Sequence, residues 1–191
     1  MAKNTRAAAV RPVVDSSVRR AYFDCRFGQL HVHCALPAGG GFDEATTVIC
    51  LPGSQASGRY FSALLPLLGR DRSVYAPDLP GGPGESDRPP PAATAAQIAA
   101  ALTDFLDGMR FRRIDVLAVE EAVALAAALV SLRPQLIGRI VLAPPGDANR
   151  TLAASLGIPA ALLQLGTAGQ PLSAEDARRA LPELLANLSG A

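Results

Sequence analysis

The stretch that decides the fold is Ile114 to Pro134, IDVLAVEEAVALAAALVSLRP. An apolar run rich in β-branched residues passes through two acids into a run of strong helix formers, which predicts a strand, a sharp turn and a helix. A buried parallel strand that leads directly into a helix presents its turn residue to a pocket at the carboxyl edge of the sheet. In this chain that residue is Glu120.

Other strand-like and helix-like segments alternate on both sides of this stretch. The apolar runs at 46–53, 73–79 and 138–145 predict buried strands, and Thr94 with Gln97 forms a capping box that opens a helix. Strands that alternate with helices indicate an α/β fold whose mostly parallel sheet is covered on both faces.

The segment 21–36, AYFDCRFGQLHVHCAL, predicts an antiparallel hairpin that precedes this parallel sheet. A two-residue turn at Gly28-Gln29 would place Arg26 opposite His31 and Asp24 opposite His33. On a hairpin at a sheet edge, both histidines are then expected to be solvated members of cross-strand polar pairs.

Two further motifs carry a resemblance to a known family. The string DLPGGPGESD (78–87) resembles the DxxGxGxS loop of the α/β-hydrolase superfamily, and residues 158–185 resemble its IPxLxxxGxxDxxxPxEDAxxL segment. The family's turn reads small-x-nucleophile-x-small with a proline fourteen residues after the nucleophile, a spacing that Pro134 gives for Glu120. The resemblance starts near Ala21 and implies a three-layer α/β/α sandwich.

The resemblance implies a site that departs from the family pattern. Glu120 stands where a Ser, Cys or Asp nucleophile is usual, so it is the candidate catalytic residue. The backbone N–H groups of Ser54 and Glu121 correspond to the family's oxyanion donors. The expected pocket-lining residues are Pro52, Gly53 and Val119.

The late part of the chain departs further from the family. The acid that orients the family's catalytic histidine corresponds to Gly169, no cap domain is inserted, and no late strand or histidine loop follows. The expected fold is therefore a cap-less, shortened one with its last strand missing. The strand at 160–165 would then be an uncharged edge, and together with the leucine-rich helix that follows it predicts a two-fold homodimer.

Composition restricts the partners. The net charge of +1 and 5% aromatic content argue against nucleic-acid binding, and the longest apolar run is too short to cross a membrane. Three cysteines without a CxxC array predict neither a metal site nor a cofactor. A cytoplasmic chain is expected, with a flexible segment at 1–20 and a single domain at 21–191.

Three functional hypotheses follow from these observations. The first is a non-hydrolytic protein that binds a small ligand or a protein partner. The second is an enzyme of altered chemistry, a hydrolase, lyase or cyclase that uses Glu120 as a general acid/base beside an oxyanion-type cradle. The third is a structural subunit without a site, since two acids in a first helical turn are also ordinary helix electrostatics.

Overall fold

A computed structural model describes residues 18–38, 45–144, 146–165, 170 and 172–189 of the 191-residue chain. Most of the predicted N-terminal segment 1–20 and the position of Gly169 lie outside the described residues. Strand β1 begins at Arg19, two residues before the predicted start of the domain, because Arg19 already pairs with Cys34 of the next strand.

One mixed, seven-stranded sheet in the order β1-β2-β4-β3-β5-β6-β7 forms the centre of the structure. Strands β3, β4, β5, β6 and β7 run parallel, and β2 is antiparallel to both β1 and β4. The predicted α/β class with an N-terminal antiparallel hairpin is therefore confirmed. The strands are β1 (Arg19–Cys25), β2 (Gly28–Ala35), β3 (Thr47–Leu51), β4 (Val74–Pro77), β5 (Ile114–Val119), β6 (Ile137–Ala143) and β7 (Ala160–Leu162).

Helices cover both faces of the sheet. The helical elements are a 3-10 helix (Gly58–Phe61), α1 (Leu65–Leu68), α2 (Ala95–Gly108), α3 (Ala122–Leu132), α4 (Asp147–Ser155) and α5 (Ala174–Ser189). Side chains of α2 and α3 pack in one hydrophobic core, while the 3-10 helix, α1 and α5 pack in a second. The elements of the described residues thus form three layers, with helices on either side of a sheet, as predicted.

Strand β5 joins the two cores. Val116 and Ala118 belong to the core under α2 and α3, whereas Leu117 and Val119 belong to the opposite core. Successive strand residues point to opposite faces, so a strand covered on both sides needs a continuous apolar run. This burial fixes the end of β5, and hence the position of the turn that follows it.

The hairpin has a different register from the predicted one. Cys25 pairs with Gly28, so the turn residues are Arg26 and Phe27, and the predicted pairs with Arg26 and Asp24 are wrong. Tyr22 lies opposite His31, and Arg20 lies opposite His33. Gly28 has a φ of 111° and lies so close to the Asp87 carboxylate that a Cβ could not fit there, which places the glycine after the turn.

The histidines are also buried, contrary to the prediction. His31 is 1% and His33 6% exposed, because β2 lies between β1 and β4 and the loop at 78–87 covers it. His31 N–H donates to Ser86 Oγ, and Asp78 N–H donates to the His31 carbonyl oxygen.

Helix α5 uses its apolar face inside the chain. Leu184 and Leu188 are buried in the second core, and Leu181 and Leu185 pack against it. This face is therefore not the exposed surface on which the homodimer prediction partly relied. None of the helices in the described ranges has the length and apolar character that a membrane crossing requires.

Candidate functional site

The turn after β5 holds Glu120 in a left-handed backbone conformation. Its φ is 52°, and helix α3 begins two residues later at Ala122. Residues other than glycine rarely adopt this backbone conformation, and residues that are held in it concentrate at functional sites. The Glu120 N–H donates to the Ala143 carbonyl oxygen of the neighbouring strand at 2.8 Å, which fixes the turn against the sheet. The predicted sharp strand-turn-helix is therefore present.

The loop after β3 approaches this turn closely. A Cβ built on Gly53 would collide with the Glu120 carboxylate, and it would lie 3.1 Å from Glu121 Oε2. Only glycine leaves room here for both acidic side chains. The structure thus brings the two predicted parts of the site together, the loop at 52–54 and the turn at 120–121.

The expected oxyanion donors bind a carboxylate of the chain itself. Ser54 N–H and Ser54 Oγ–H both donate to Glu121 Oε2, at 3.3 and 3.4 Å. Hydrogen bonds from the backbone N–H of Glu121 and from that of Ser54 lower the pKa of the Glu121 carboxyl. The cradle that was expected to stabilise a substrate oxyanion therefore holds a negatively charged oxygen already.

A cavity of about 370 Å³ lies over the turn, between the loop after β3 and the 3-10 helix. Glu120 and Arg59 are its charged lining residues, and the other described lining residues are Gln55, Ala56, Ser57, Tyr60, Ser62 and Gln170. Burial raises the pKa of the Tyr60 phenol, and the nearby Glu120 charge raises it further. Glu120 is thus the acidic group that a small molecule in this cavity would meet.

Of the residues expected to line the pocket, Pro52 and Gly53 are buried, and Val119 is 2% exposed within the second core. None of the three is among the described lining residues of this cavity. Arg59 and Tyr60 line the cavity but were not among the site residues predicted from the sequence. The available signal was their place directly after the loop LPGSQASG, since loops at the carboxyl edge of a parallel sheet supply the residues of a pocket.

The two histidines of the chain do not line this cavity. His31 Nδ1 hydrogen-bonds to Asp78 Oδ2 at 2.8 Å, and His33 Nε2 lies 3.6 Å from Asp78 Oδ1. Within the described part of the chain, Glu120 therefore has no histidine beside it in the cavity that could serve as a base.

Comparison with solved structures gives hydrolytic enzymes at low sequence identity. An epoxide hydrolase, CorEH, aligns at 17% identity and a TM-score of 0.59 over 66% of this chain and 42% of its own. The carboxylesterase CesB of Bacillus subtilis aligns at 19% identity and a TM-score of 0.58, over 66% of this chain and 42% of its own. The haloalkane dehalogenase DbeA of Bradyrhizobium elkani aligns at 22% identity and a TM-score of 0.57, over 66% of this chain and 41% of its own. No protein-family model and no curated protein sequence matches the chain.

These neighbours all have one fold in common, and this chain spans about two fifths of their length. At sequence identities of 17 to 22%, the similarity to these enzymes shows a shared arrangement of strands and helices and nothing about activity.

Proposed function

We propose that this chain, which has the α/β-hydrolase fold, is a non-hydrolytic protein that binds a small polar ligand. The ligand occupies the cavity over Glu120. The observation that carries this proposal is the left-handed Glu120 at the end of β5, whose side chain lines that cavity.

The state of the oxyanion cradle supports binding rather than hydrolysis. Acyl transfer needs backbone donors that are free to receive the oxygen on which negative charge develops. Here Ser54 N–H already donates to the Glu121 carboxylate, and a second negative oxygen in the same cradle would be repelled. A carboxylate at position 120 would also need a base to activate water, and both histidines face Asp78 instead.

The cavity lining indicates the class of ligand. Glu120 is an acceptor that prefers an ammonium or hydroxyl partner, and Arg59 is a donor suited to a carboxylate or another anionic group. A small zwitterion satisfies both, and the serine and glutamine side chains add neutral hydrogen bonds. We therefore assign the cavity to zwitterionic molecules of amino-acid size.

Glu120→Gln is expected to weaken binding of such a zwitterion by tenfold or more, because removing a charge-assisted hydrogen bond loses about 1.5 to 3 kcal/mol. The measurement is ligand-observed NMR on the purified chain with a panel of free amino acids, simple amines and simple carboxylates. Zwitterions should bind better than molecules that carry only one of the two charges.

Glu183→Gln is the matched control, because it removes an exposed acid on α5 outside the cavity. It should leave every binding constant unchanged. Equal binding by wild type and Glu120→Gln would contradict the assignment of the ligand to this cavity.

A second candidate function is an enzyme that uses Glu120 as a general acid/base. The observation in its favour is the strained backbone at Glu120, since catalytic residues are often held in such conformations. In that case the Glu121 carboxylate would have to leave the cradle before a substrate oxygen could enter it.

Activated short-chain esters separate these two candidates. Under the binding proposal, wild type hydrolyses them no faster than Glu120→Ala, because the described lining of the cavity contains no histidine that could activate a nucleophile. The measurement is the initial rate of release of a chromogenic alcohol. Turnover by wild type that disappears in Glu120→Ala would establish the enzyme instead.

The homodimer and the cytoplasmic location are further parts of this proposal. Among the described residues β7 pairs only with β6, and its three residues carry no charge. Pairing of two β7 strands about a two-fold axis remains the expected arrangement.

A further inference from the structure

A second cluster of chemically active side chains lies apart from the Glu120 cavity. His31 and His33 are two residues apart on β2 and point to the same face. Asp78 directly follows β4, the antiparallel neighbour of β2, and its N–H donates to the His31 carbonyl oxygen. The pairing therefore brings the Asp78 carboxylate beside both imidazole rings, although Asp78 lies 47 positions after His31 in the chain.

The cluster is compact and buried. His31, His33 and Asp78 are 1%, 6% and 1% exposed. One ligand atom of each lies within 4.8 Å of the others. His31 Nδ1 is 2.8 Å from Asp78 Oδ2, and His33 Nε2 is 3.6 Å from Asp78 Oδ1.

Hydrogen bonding inside the protein leaves part of this cluster unsatisfied. His31 Nε2 and His33 Nε2 are buried nitrogen atoms for which the described residues offer no hydrogen-bond partner. A buried polar atom without a partner is rare in proteins, and a bound ion can supply the missing partner. The Glu85 carboxylate adds a fourth group at the exposed rim, with its Oε2 3.9 Å from His31 Nε2.

We propose that His31, His33 and Asp78 form a binding site for one divalent transition-metal ion, with Glu85 at its rim. Two imidazoles and a carboxylate are a donor set that suits Zn²⁺ and Co²⁺. Metal–ligand distances of about 2.0 to 2.2 Å place the ligands of one ion about 3 to 4 Å apart, so small side-chain rotations would close the cluster around it. The Asp78 carboxylate supplies one negative charge to the ion, whereas the Glu85 carboxylate also pairs with Arg20 at 3.0 Å and accepts a hydrogen bond from the Tyr22 hydroxyl at 2.6 Å.

The sequence predicted no metal site because its three cysteines form no CxxC or mixed Cys/His array. The third ligand, Asp78, directly follows a different strand, β4, and the expected hairpin register left both histidines exposed to solvent. The bound ion would link β2, β4 and the loop at 78–87, at a place distinct from the ligand cavity.

The test uses the full chain after treatment with EDTA, titrated with Co²⁺ and separately with Zn²⁺. One equivalent of Co²⁺ should bind and give visible absorption, and Zn²⁺ should displace it. Because the chain contains 2 histidines, NMR of the imidazole rings should show both signals shifting with one titration curve. This second measurement needs no variant, so it remains informative even where a substitution prevents folding.

Variants assign the ligands. His33→Gln should weaken Co²⁺ binding by about 100-fold or more, since even outer-shell changes lose 10- to 100-fold. Glu85→Gln should have a smaller effect, because this residue lies at the rim. Cys25→Ser is the control for adventitious binding by a partly exposed thiol, and it should change nothing.

Three results would overturn the proposal. They are no stoichiometric binding by the metal-free chain, histidine signals that do not respond to the bound ion, and binding that depends on Cys25 rather than His33. Each would leave this cluster as a buried structural contact, in which Asp78 hydrogen-bonds to His31 and lies beside His33.

Discussion

Replacing Asp78 by alanine in metal-free protein is expected to lower the free energy of unfolding by about 3 to 5 kcal/mol. Its carboxylate accepts hydrogen bonds from Gly58 N–H at 2.7 Å, from Glu85 N–H at 2.8 Å and from His31 Nδ1 at 2.8 Å. Alanine leaves these donors unpaired, and each buried unpaired group is worth about 1 to 3 kcal/mol. Urea unfolding followed by far-UV circular dichroism gives the measurement.

Asp87→Ala is the matched comparison within the same loop. The Asp87 carboxylate is exposed and accepts one bond from Gln29 N–H at 2.8 Å, so its loss should be worth about 1 kcal/mol. Asp78→Asn should fall between the two, because it retains one acceptor oxygen and loses the charge. A loss for Asp78→Ala no larger than that for Asp87→Ala would show that Asp78 does not hold β2, the 3-10 helix and the loop together.

The order of the central elements could be predicted from sequence because it depends on local patterns. The continuous apolar run of β5 has to be covered on both faces, and the acids after it mark the turn at Glu120. The capping box of Thr94 and Gln97 opens α2 with both of its hydrogen bonds present. Such features need only the residues of one segment.

The register of the hairpin could not be predicted because it depends on a distant loop. Gly28 reads locally as a turn residue, yet its place is set by the Asp87 carboxylate, 59 positions along the chain. Burial of His31 also comes from that loop, through Ser86. Contacts at this separation leave no periodicity in the sequence.

In the candidate site, too, some features follow from local sequence and others depend on contacts that the sequence does not reveal. Glu120 and the loop at 52–54 follow from the strand ends, and the structure brings them into contact through Gly53. The position of the Glu121 side chain on Ser54 follows from rotamers that no motif specifies. The sequence therefore predicted which backbone donors meet and could not predict that a carboxylate would occupy them.

Glu120→Gly is expected to raise the free energy of unfolding by about 1 kcal/mol, although it removes the acid on which ligand binding depends. A residue with a Cβ at a φ of 52° carries strain of about 1 to 3 kcal/mol, and glycine removes this strain while making the unfolded chain more flexible. Glu120→Val should instead destabilise the protein by about 2 kcal/mol, because a β-branched side chain is least compatible with this conformation.

Glu120→Ala isolates the strain from the charge, because alanine and glycine both remove the carboxylate and only glycine lacks the Cβ. We expect the glycine variant to be about 1 to 2 kcal/mol more stable than the alanine variant.

The same comparison at Ala124, an exposed position inside α3, should have the opposite sign, with Ala124→Gly losing about 1 kcal/mol of stability. Thermal and urea unfolding of these variants provide the measurement. If the glycine variant is the more stable one, the acid at position 120 is retained for a reason other than folding, as the ligand binding that we propose for the cavity above it requires. If Glu120→Gly is no more stable than Glu120→Ala, the turn is unstrained, and the strongest physical argument for a functional Glu120 is lost.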